Sequence, residues 1–419
     1  MYQETLEYAI QLDKEDKLSY LRDEFHMPKG KNGKNCLYFT GNSLGLQPKR
    51  TQRYIQQELD DWAKYGVEGH FEGNTPWLPY HEFLTEKMAK IVGAKPLEVV
   101  VMNTLTTNLH LLMISFYQPT QKKYKIVIES DAFPSDRYAV GSQLEFHGFN
   151  IEEGLIEWKP REGEELLRIE DLERIVSEQG DEIALLLIGG VNYYTGQYLD
   201  LKKIAAIGHA KNCMVGIDLA HGAGNISPEL HDSGVDFAAW CTYKYLNSGP
   251  GSLAGLFVNE KHAHNKKLRR FAGWWNHNKE TRFNLRQPFD VMAGAEGWQL
   301  SNPPILSMAA IRASLDMFDE VGIQALREKS EKLTGYFEYL IKRIDTDRIK
   351  IITPSNSKER GCQLSIQVKN ADKVLFEKLS ENNVITDWRE PDVIRCAPVP
   401  MYNSFQDVFK MVEILRSLL

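Results

Sequence analysis

Residues 235–258, VDFAAWCTYKYLNSGPGSLAGLFV, hold a short apolar run ending in Thr242-Tyr243-Lys244, a glycine-rich turn and a second apolar run. Phe237–Trp240 and Leu253–Val258 are too short for buried helices and apolar throughout, so they read as strands covered on both faces. A lysine at a strand end between two tyrosines is unlike a surface lysine, because aromatic neighbours and partial desolvation make its amine nucleophilic. Gly249, Gly251 and Gly255 let the backbone approach closely behind it. The competing reading is a lysine that snorkels from a strand edge. Upstream, MVGIDLAHGAGN (214–225) is a strand that ends in Asp218, with His221 three residues later. A strand-end aspartate also caps turns, so it too has an ordinary reading. The order of the two is more specific than either alone: strand–Asp–x–x–His, then 244 − 218 = 26 residues on, strand–Tyr–Lys–glycine turn.

Working outward, Glu98–Met102, Lys125–Ile128, Ile183–Ile188 and Met214–Ile217 are further short runs rich in Val, Ile and Leu. Leu105–Tyr117 and Leu201–Lys211 between them have helical periodicity. Strands alternating with helices predict an α/β chain with a mostly parallel, doubly wound sheet, whose strand carboxyl ends face a ligand crevice. The character changes after Asn302-Pro303-Pro304. One long helix is expected over roughly 305–344. Strands are expected at Ile349–Thr353, Gln363–Val368, Val384–Thr386 and Val393–Cys396, and a last amphipathic helix at Phe405–Leu418. The expected division is a large domain over 48–304, a small α/β domain over 305–419, and an N-terminal segment, 1–47, packing with the small one.

The bulk numbers exclude several classes. The 419 residues are 42% hydrophobic, enough for a core without disulfide or metal staples. Fifty basic against 57 acidic side chains give a net charge of −7, which argues against a nucleic-acid binder. The five cysteines, Cys36, Cys213, Cys241, Cys362 and Cys396, are widely spaced with no Cys-x-x-Cys pair, so neither a disulfide framework nor a zinc site is expected. The N-terminus is polar and acidic, and no apolar run approaches membrane-spanning length. A reducing cytoplasm is the expected compartment, with no membrane partner.

Two further stretches suit a phosphorylated ring cofactor. NTLTTNLHLL (103–112) starts a helix after a strand, and a helix N-terminus offers free N–H groups to a phosphate. AFPSDRY (132–138) follows another strand; Phe133 can lie on a ring and Asp136 can be a second acid. Both also read as ordinary helix starts. With a carboxylate for a pyridine nitrogen (Asp218) and an amine for a covalent link (Lys244), the set is what pyridoxal 5'-phosphate requires.

With these stretches in hand, the chain resembles the kynureninases, a family of the aspartate-aminotransferase-like, fold type I pyridoxal-phosphate enzymes. The likeness runs through YFTGNSLGLQPK (38–49), AFPSDRYA (132–139), YYTGQYLDL (193–201), IDLAHGAGN (217–225), YKYLNSGPG (243–251), LSNPPILS (300–307), ERGCQLSI (359–366) and RCAPVPMYNSF (395–405). The resemblance implies a seven-stranded large-domain sheet and a homodimer with shared active sites. It implies hydrolysis of L-3-hydroxykynurenine and L-kynurenine to 3-hydroxyanthranilate and anthranilate, each with L-alanine. The setting would be tryptophan catabolism or NAD synthesis from tryptophan. It implies that Lys244 links to the cofactor and shuttles protons, that Asp218 pairs with the ring nitrogen, and that His221 supports it. Phe133 would stack on the ring, with Pro134, Ser135 and Asp136 beside it. Leu105 and Thr106 would bind the phosphate. Tyr243 would reach the phosphate and act as an acid; free tyrosine titrates near about 10, so acting as a base would need a depressed pKa or a relay. Trp274 and Asn302 would complete the partner subunit's site, Arg395 would clamp the substrate carboxylate, and His70 with Asn302 would favour the hydroxylated substrate. Where some members carry serine or threonine, this chain has Gly189-Gly190, so a hydroxyl contact there is lost. A desulfurase-like lyase would need Cys362 to be reactive. The same fold would also carry an aminotransferase or a catalytically silent scaffold.

Overall fold

The computed structural model describes residues 2–285 and 288–419. Near the N-terminus, β1 (Leu37–Tyr38) is a two-residue strand. Seven strands follow: β2 (Val99–Met102), β3 (Lys125–Glu129), β4 (Leu155–Trp158), β5 (Ile183–Gly189), β6 (Met214–Asp218), β7 (Phe237–Cys241) and β8 (Ala254–Val258). They form one sheet in the order β2-β8-β7-β6-β5-β3-β4. β3 through β7 pair in parallel, whereas β8 runs antiparallel to both of its neighbours, β2 and β7.

Side-chain alternation divides each central strand between two cores. Leu186, Ile188, Val215, Ile217 and Ala238 face one cluster, while Leu185, Leu187, Phe237 and Ala239 face the other. Because helices cover both faces, these strands are apolar at every position rather than at every second one. Leu155–Trp158 has no counterpart among the sequence expectations. It is the edge strand, its first three residues are only half-buried, and Glu157 interrupts its apolar pattern.

The expected single helix over 305–344 is two helices, Ile305–Val321 and Ile323–Ile341. Gly322 separates them at φ 82°, a left-handed value that favours glycine although the space around its α-carbon is open. The break changes the layer that the chain serves. Met308, Ile311, Leu315 and Phe318 pack in the large core, whereas Leu333, Tyr336, Phe337 and Leu340 pack in a third cluster. That cluster lies against a four-stranded antiparallel sheet of β9 (Ile349–Ile351), β10 (Leu364–Val368), β12 (Asp387–Arg389) and β13 (Val393–Cys396). The expected strand at 384–386 is shorter, β11 (Val384–Ile385); it leaves that sheet and pairs in parallel with β1. Helices Leu6–Glu15 and Phe405–Leu418 close the cluster.

Candidate active site

Four neighbouring strands end at one cavity of about 330 Å³. Glu129 ends β3, Gly189 ends β5, Asp218 ends β6, and Tyr243 and Lys244 lie just past β7; all five line the cavity. Parallel strands in register bring such residues level with one another, and Gly189 pairs directly with Asp218. The helix Leu105–Phe116 points its first turn at the cavity through Thr104, Leu105 and Thr106, and no side chain caps its N-terminal amides. The helix Pro134–Phe146 contributes Ser135 and Asp136, preceded by Phe133. Thr106 Oγ1 and Ser135 Oγ are 2.7 Å apart, which ties the two helix starts together. The four-stranded antiparallel sheet adds Arg389 of β12 and Arg395 of β13, and the stretch after β1 adds Asn42 and Ser43.

Lys244 Nζ lies 3.0 Å from His221 Nε2 and 5.9 Å from the centre of the Phe133 ring. Burial, reinforced by the positive charges of Lys244, Arg395 and Arg389, holds His221 well below its usual pKa, so the imidazole is neutral. Lys244 donates to Nε2, which leaves the ring hydrogen on Nδ1, a buried atom without a protein partner among the described residues. Asp218 Oδ1 accepts from Ala220 N at 2.6 Å. Burial raises its pKa, and Lys244 opposes that rise. Asp136 is pushed well up, by burial and then by the negative charge of Asp218, so Asp136 is the member that keeps a proton. Glu129 is raised to about 7, chiefly by burial. Burial also raises the Tyr243 hydroxyl, which therefore holds its proton; the depressed value that a base would need is absent.

Arg395 is 1% exposed. Its Nη1 donates to Tyr193 O at 2.6 Å and its Nη2 pairs with Asp387, leaving Nε without a partner among the described residues. A free two-pronged fork is thus not what this structure presents; Arg389, two residues past Asp387 on the same strand, supplies a second guanidinium. The sequence reading missed Arg389, along with Asn42, Ser43, Glu129 and Tyr193. Arg389 carries a detectable signal, since it alternates with Asp387 opposite Arg395 in a polar strand. Of the residues singled out from the sequence, Pro134, His70, Trp274 and Asn302 do not line this cavity. His70 Nδ1 lies 2.9 Å from Val67 O, and the ring meets Trp77 edge-on. Trp274 is 45% exposed and packs edge-on against Trp275 and Phe283. All five cysteines are buried, and Cys362 is pushed up to about 12 by burial, which does not suit a reactive thiol.

Pyridoxal 5'-phosphate fits these residues. Uncapped helix amides suit its phosphate. Asp218, buried with one backbone donor and beside an acid that keeps its proton, suits a protonated ring nitrogen. Lys244 offers the amine for the covalent link, and Asp136 Oδ1, buried and unpartnered among the described residues, can meet a polar group of the ligand.

Solved structures share the architecture. A C-DES mutant with glycine covalently linked to its PLP cofactor superposes with a TM-score of 0.77 at 15% identity, covering 94% of this chain and 98% of that one. A cysteine desulfurase from Thermococcus onnurineus NA1 gives a TM-score of 0.73 at 15% identity, covering 91% and 94%. At that identity they show the fold, one that carries pyridoxal phosphate in the C-DES structure, and the residues of this cavity suit the same class of cofactor. Sequence comparison narrows the class. The profile of the kynureninase C-terminal domain matches residues 326–415. The chain is 55% identical over 416 residues to a kynureninase from Myxococcus xanthus, covering 99% of this chain and 98% of the relative. It is 48% identical over 430 residues to a kynureninase from Homo sapiens, covering 98% and 92%. The chain belongs to the kynureninase family, and it is a pyridoxal-phosphate-dependent hydrolase of a carbon–carbon bond.

Proposed function

We propose that this chain cleaves the side chain of L-kynurenine and L-3-hydroxykynurenine, with preference for the hydroxylated substrate. The products are anthranilate or 3-hydroxyanthranilate, and L-alanine. Kynurenine cleavage belongs to tryptophan catabolism; the hydroxylated product would feed NAD synthesis. The reading includes a homodimer in the cytoplasm. In it, residues 48–304 hold the cofactor, residues 305–419 with 1–47 form the smaller unit, and Trp274 and Asn302 reach the partner subunit's site. The observation that carries it is the meeting of Lys244, Asp218 and Arg395 in one cavity of a chain so similar to proteins of that name.

The bound cofactor supplies an electron sink for charge at the substrate's α- and β-carbons. The chain's residues do the rest. Phe133 would lie against the ring, and Leu105, Thr106 and Ser135 would hold the phosphate end. Asp218 would keep the ring nitrogen protonated, with Asp136 as its neutral neighbour. Lys244 Nζ would take the substrate's α-proton; neutral His221 beside it accepts a hydrogen bond without competing for charge. The Tyr243 hydroxyl, protonated by virtue of its burial, delivers a proton to the β-carbon after water adds to the γ-carbonyl and the carbon–carbon bond breaks. Arg389 would hold the substrate carboxylate, with the charge of Arg395, braced by Asp387 and Tyr193 O, beside it.

Side-by-side kcat/KM for L-kynurenine and L-3-hydroxykynurenine, with added cofactor and product identification, tests this. A clear preference for the hydroxylated substrate supports the full reading. Preference for plain kynurenine retains the cleavage and removes the roles of His70 and Asn302. Activity on neither, in a cofactor-loaded protein, removes the substrate assignment.

A further inference from the structure

Glu129 is a buried acid at the cavity that the proposed chemistry does not use. Its carboxyl group reaches across the end of β5, and both oxygens accept from Gly189 N, at 3.2 and 3.0 Å. It is 5% exposed, and it lines the same cavity as Asp218 and Lys244. The reach depends on the absent side chain at position 189. A β-carbon there would sit 2.4 Å from Glu129 Oε1, closer than any packing tolerates. Along the row of strand ends, Gly189 thus vacates a place beside Asp218 and Glu129 occupies it from the next strand.

We propose that Glu129 is a cofactor-contact residue, whose carboxyl group fills the place of a side chain at position 189 and touches the pyridoxal phosphate bound beside Asp218. The inference rests on the pyridoxal-phosphate reading of the site and on no particular substrate. A buried carboxyl with one backbone donor retains hydrogen-bonding capacity that a ligand can use. The ionisable groups around it are Asp218 of β6, Asp136 at the start of the helix Pro134–Phe146, and Tyr193 in the loop after β5. Burial, with the negative charge of Asp218, keeps Glu129 protonated up to about pH 7, so near neutrality it acts as a donor as well as an acceptor.

The test uses the full chain, stripped of cofactor and reloaded with pyridoxal 5'-phosphate. Its readouts are the dissociation constant of the cofactor and the pH midpoint of the bound cofactor's absorbance. Glu129→Ala should weaken binding about tenfold, the loss of one hydrogen bond to a charged or strongly polar group. Glu129→Gln, which keeps a donor and an acceptor, should stay within about threefold of the parent at neutral pH yet move the absorbance midpoint. Gly189→Ser should also weaken binding, because the new side chain displaces Glu129. The double variant Glu129→Ala, Gly189→Ser should bind more tightly than Glu129→Ala alone, since a side chain again fills the gap. Circular dichroism checks each variant's fold, and the Ala/Gln comparison decides the matter if Gly189→Ser does not fold. An unchanged dissociation constant and midpoint in Glu129→Ala, or equal weakening in the Gln and Ala variants, overturns the proposal. A protein that binds cofactor as expected but cleaves no kynurenine would remove the substrate reading and leave this one standing.

Discussion

Two buried aspartates sit at opposite ends of neighbouring strands and are treated in opposite ways. Asp218 closes β6 at its carboxyl end; Asp236 immediately precedes β7 at its amino end. They are 7% and 2% exposed. Burial alone would raise the pKa of Asp236, but three donors outweigh it: His209 at 3.0 Å, His262 at 2.8 Å and Lys261 at 2.8 Å hold the carboxyl far below its usual range. Val215 N adds a bond at 2.7 Å, so the group is saturated by the protein itself. Asp218 has one backbone donor, a neighbouring acid and a raised pKa. A buried charge that the protein satisfies serves the fold, and one left short is free to serve a ligand. The carboxyl end of the sheet is where this chain leaves its charges short.

The comparison breaks or sharpens under mutation. Lys244→Ala removes the cation beside Asp218 and the point of covalent attachment; turnover should fall by about three orders of magnitude or more, read in steady state with cofactor in excess. Mass spectrometry after borohydride reduction should find no linked cofactor in this variant. Asp218→Asn and Asp236→Asn should then separate cleanly. The first should lose about 10²–10³-fold in kcat, the size of a removed charge interaction at a reacting centre, with the melting temperature of the cofactor-free protein held or raised. The second should cost about 3 kcal/mol of stability by strand-end uncoupling of His209, His262 and Lys261, while the cofactor's spectrum persists. A stability loss in Asp218→Asn matching that of Asp236→Asn would erase the distinction. Tyr243→Phe should cut kcat by about 10²-fold and leave the cofactor bound; full turnover would end the role of the phenol as proton donor.

The smallest effect is in the pH dependence of stability. The depressed Asp236 stabilises the fold above its unfolded pKa of about 3.9, and that stability is lost as pH falls through the folded value. Glu129 has the reverse sign. Its folded pKa, about 7, lies above the unfolded value near 4.3, so its contribution is complete below about 4.3 and is lost as pH rises through about 7. The melting temperature of the cofactor-free protein should therefore decline between pH 5 and 8 relative to Glu129→Gln, by about 2 °C. Parallel curves for the two proteins would put the carboxyl of Glu129 outside the titrating set.

What the sequence determined by itself was whatever depends on neighbours along the chain. Continuous apolar runs marked β2, β3 and β5–β8, because a strand covered on both faces must be apolar at every position. Lys244, Asp218, Leu105 and Thr106 were legible because each stands where a strand ends or a helix begins. The helix Phe405–Leu418 was legible from its amphipathic period. Edge strand β4, half-buried and interrupted by Glu157, lacked that signature, and the break at Gly322 was hidden inside one unbroken helical period. Only the tertiary structure decided which strand ends stand side by side. Strand order put Glu129 next to Gly189 and Asp218, although 60 positions separate Glu129 from Gly189 along the chain. Packing of the four-stranded antiparallel sheet brought Arg389 and Arg395 to the cavity, and the stretch after β1 brought Asn42 and Ser43. The reason is physical. Local pattern reports which face of an element is buried, whereas a site is a convergence of ends, and that is set by the order in which strands pair and by the layers that close over them.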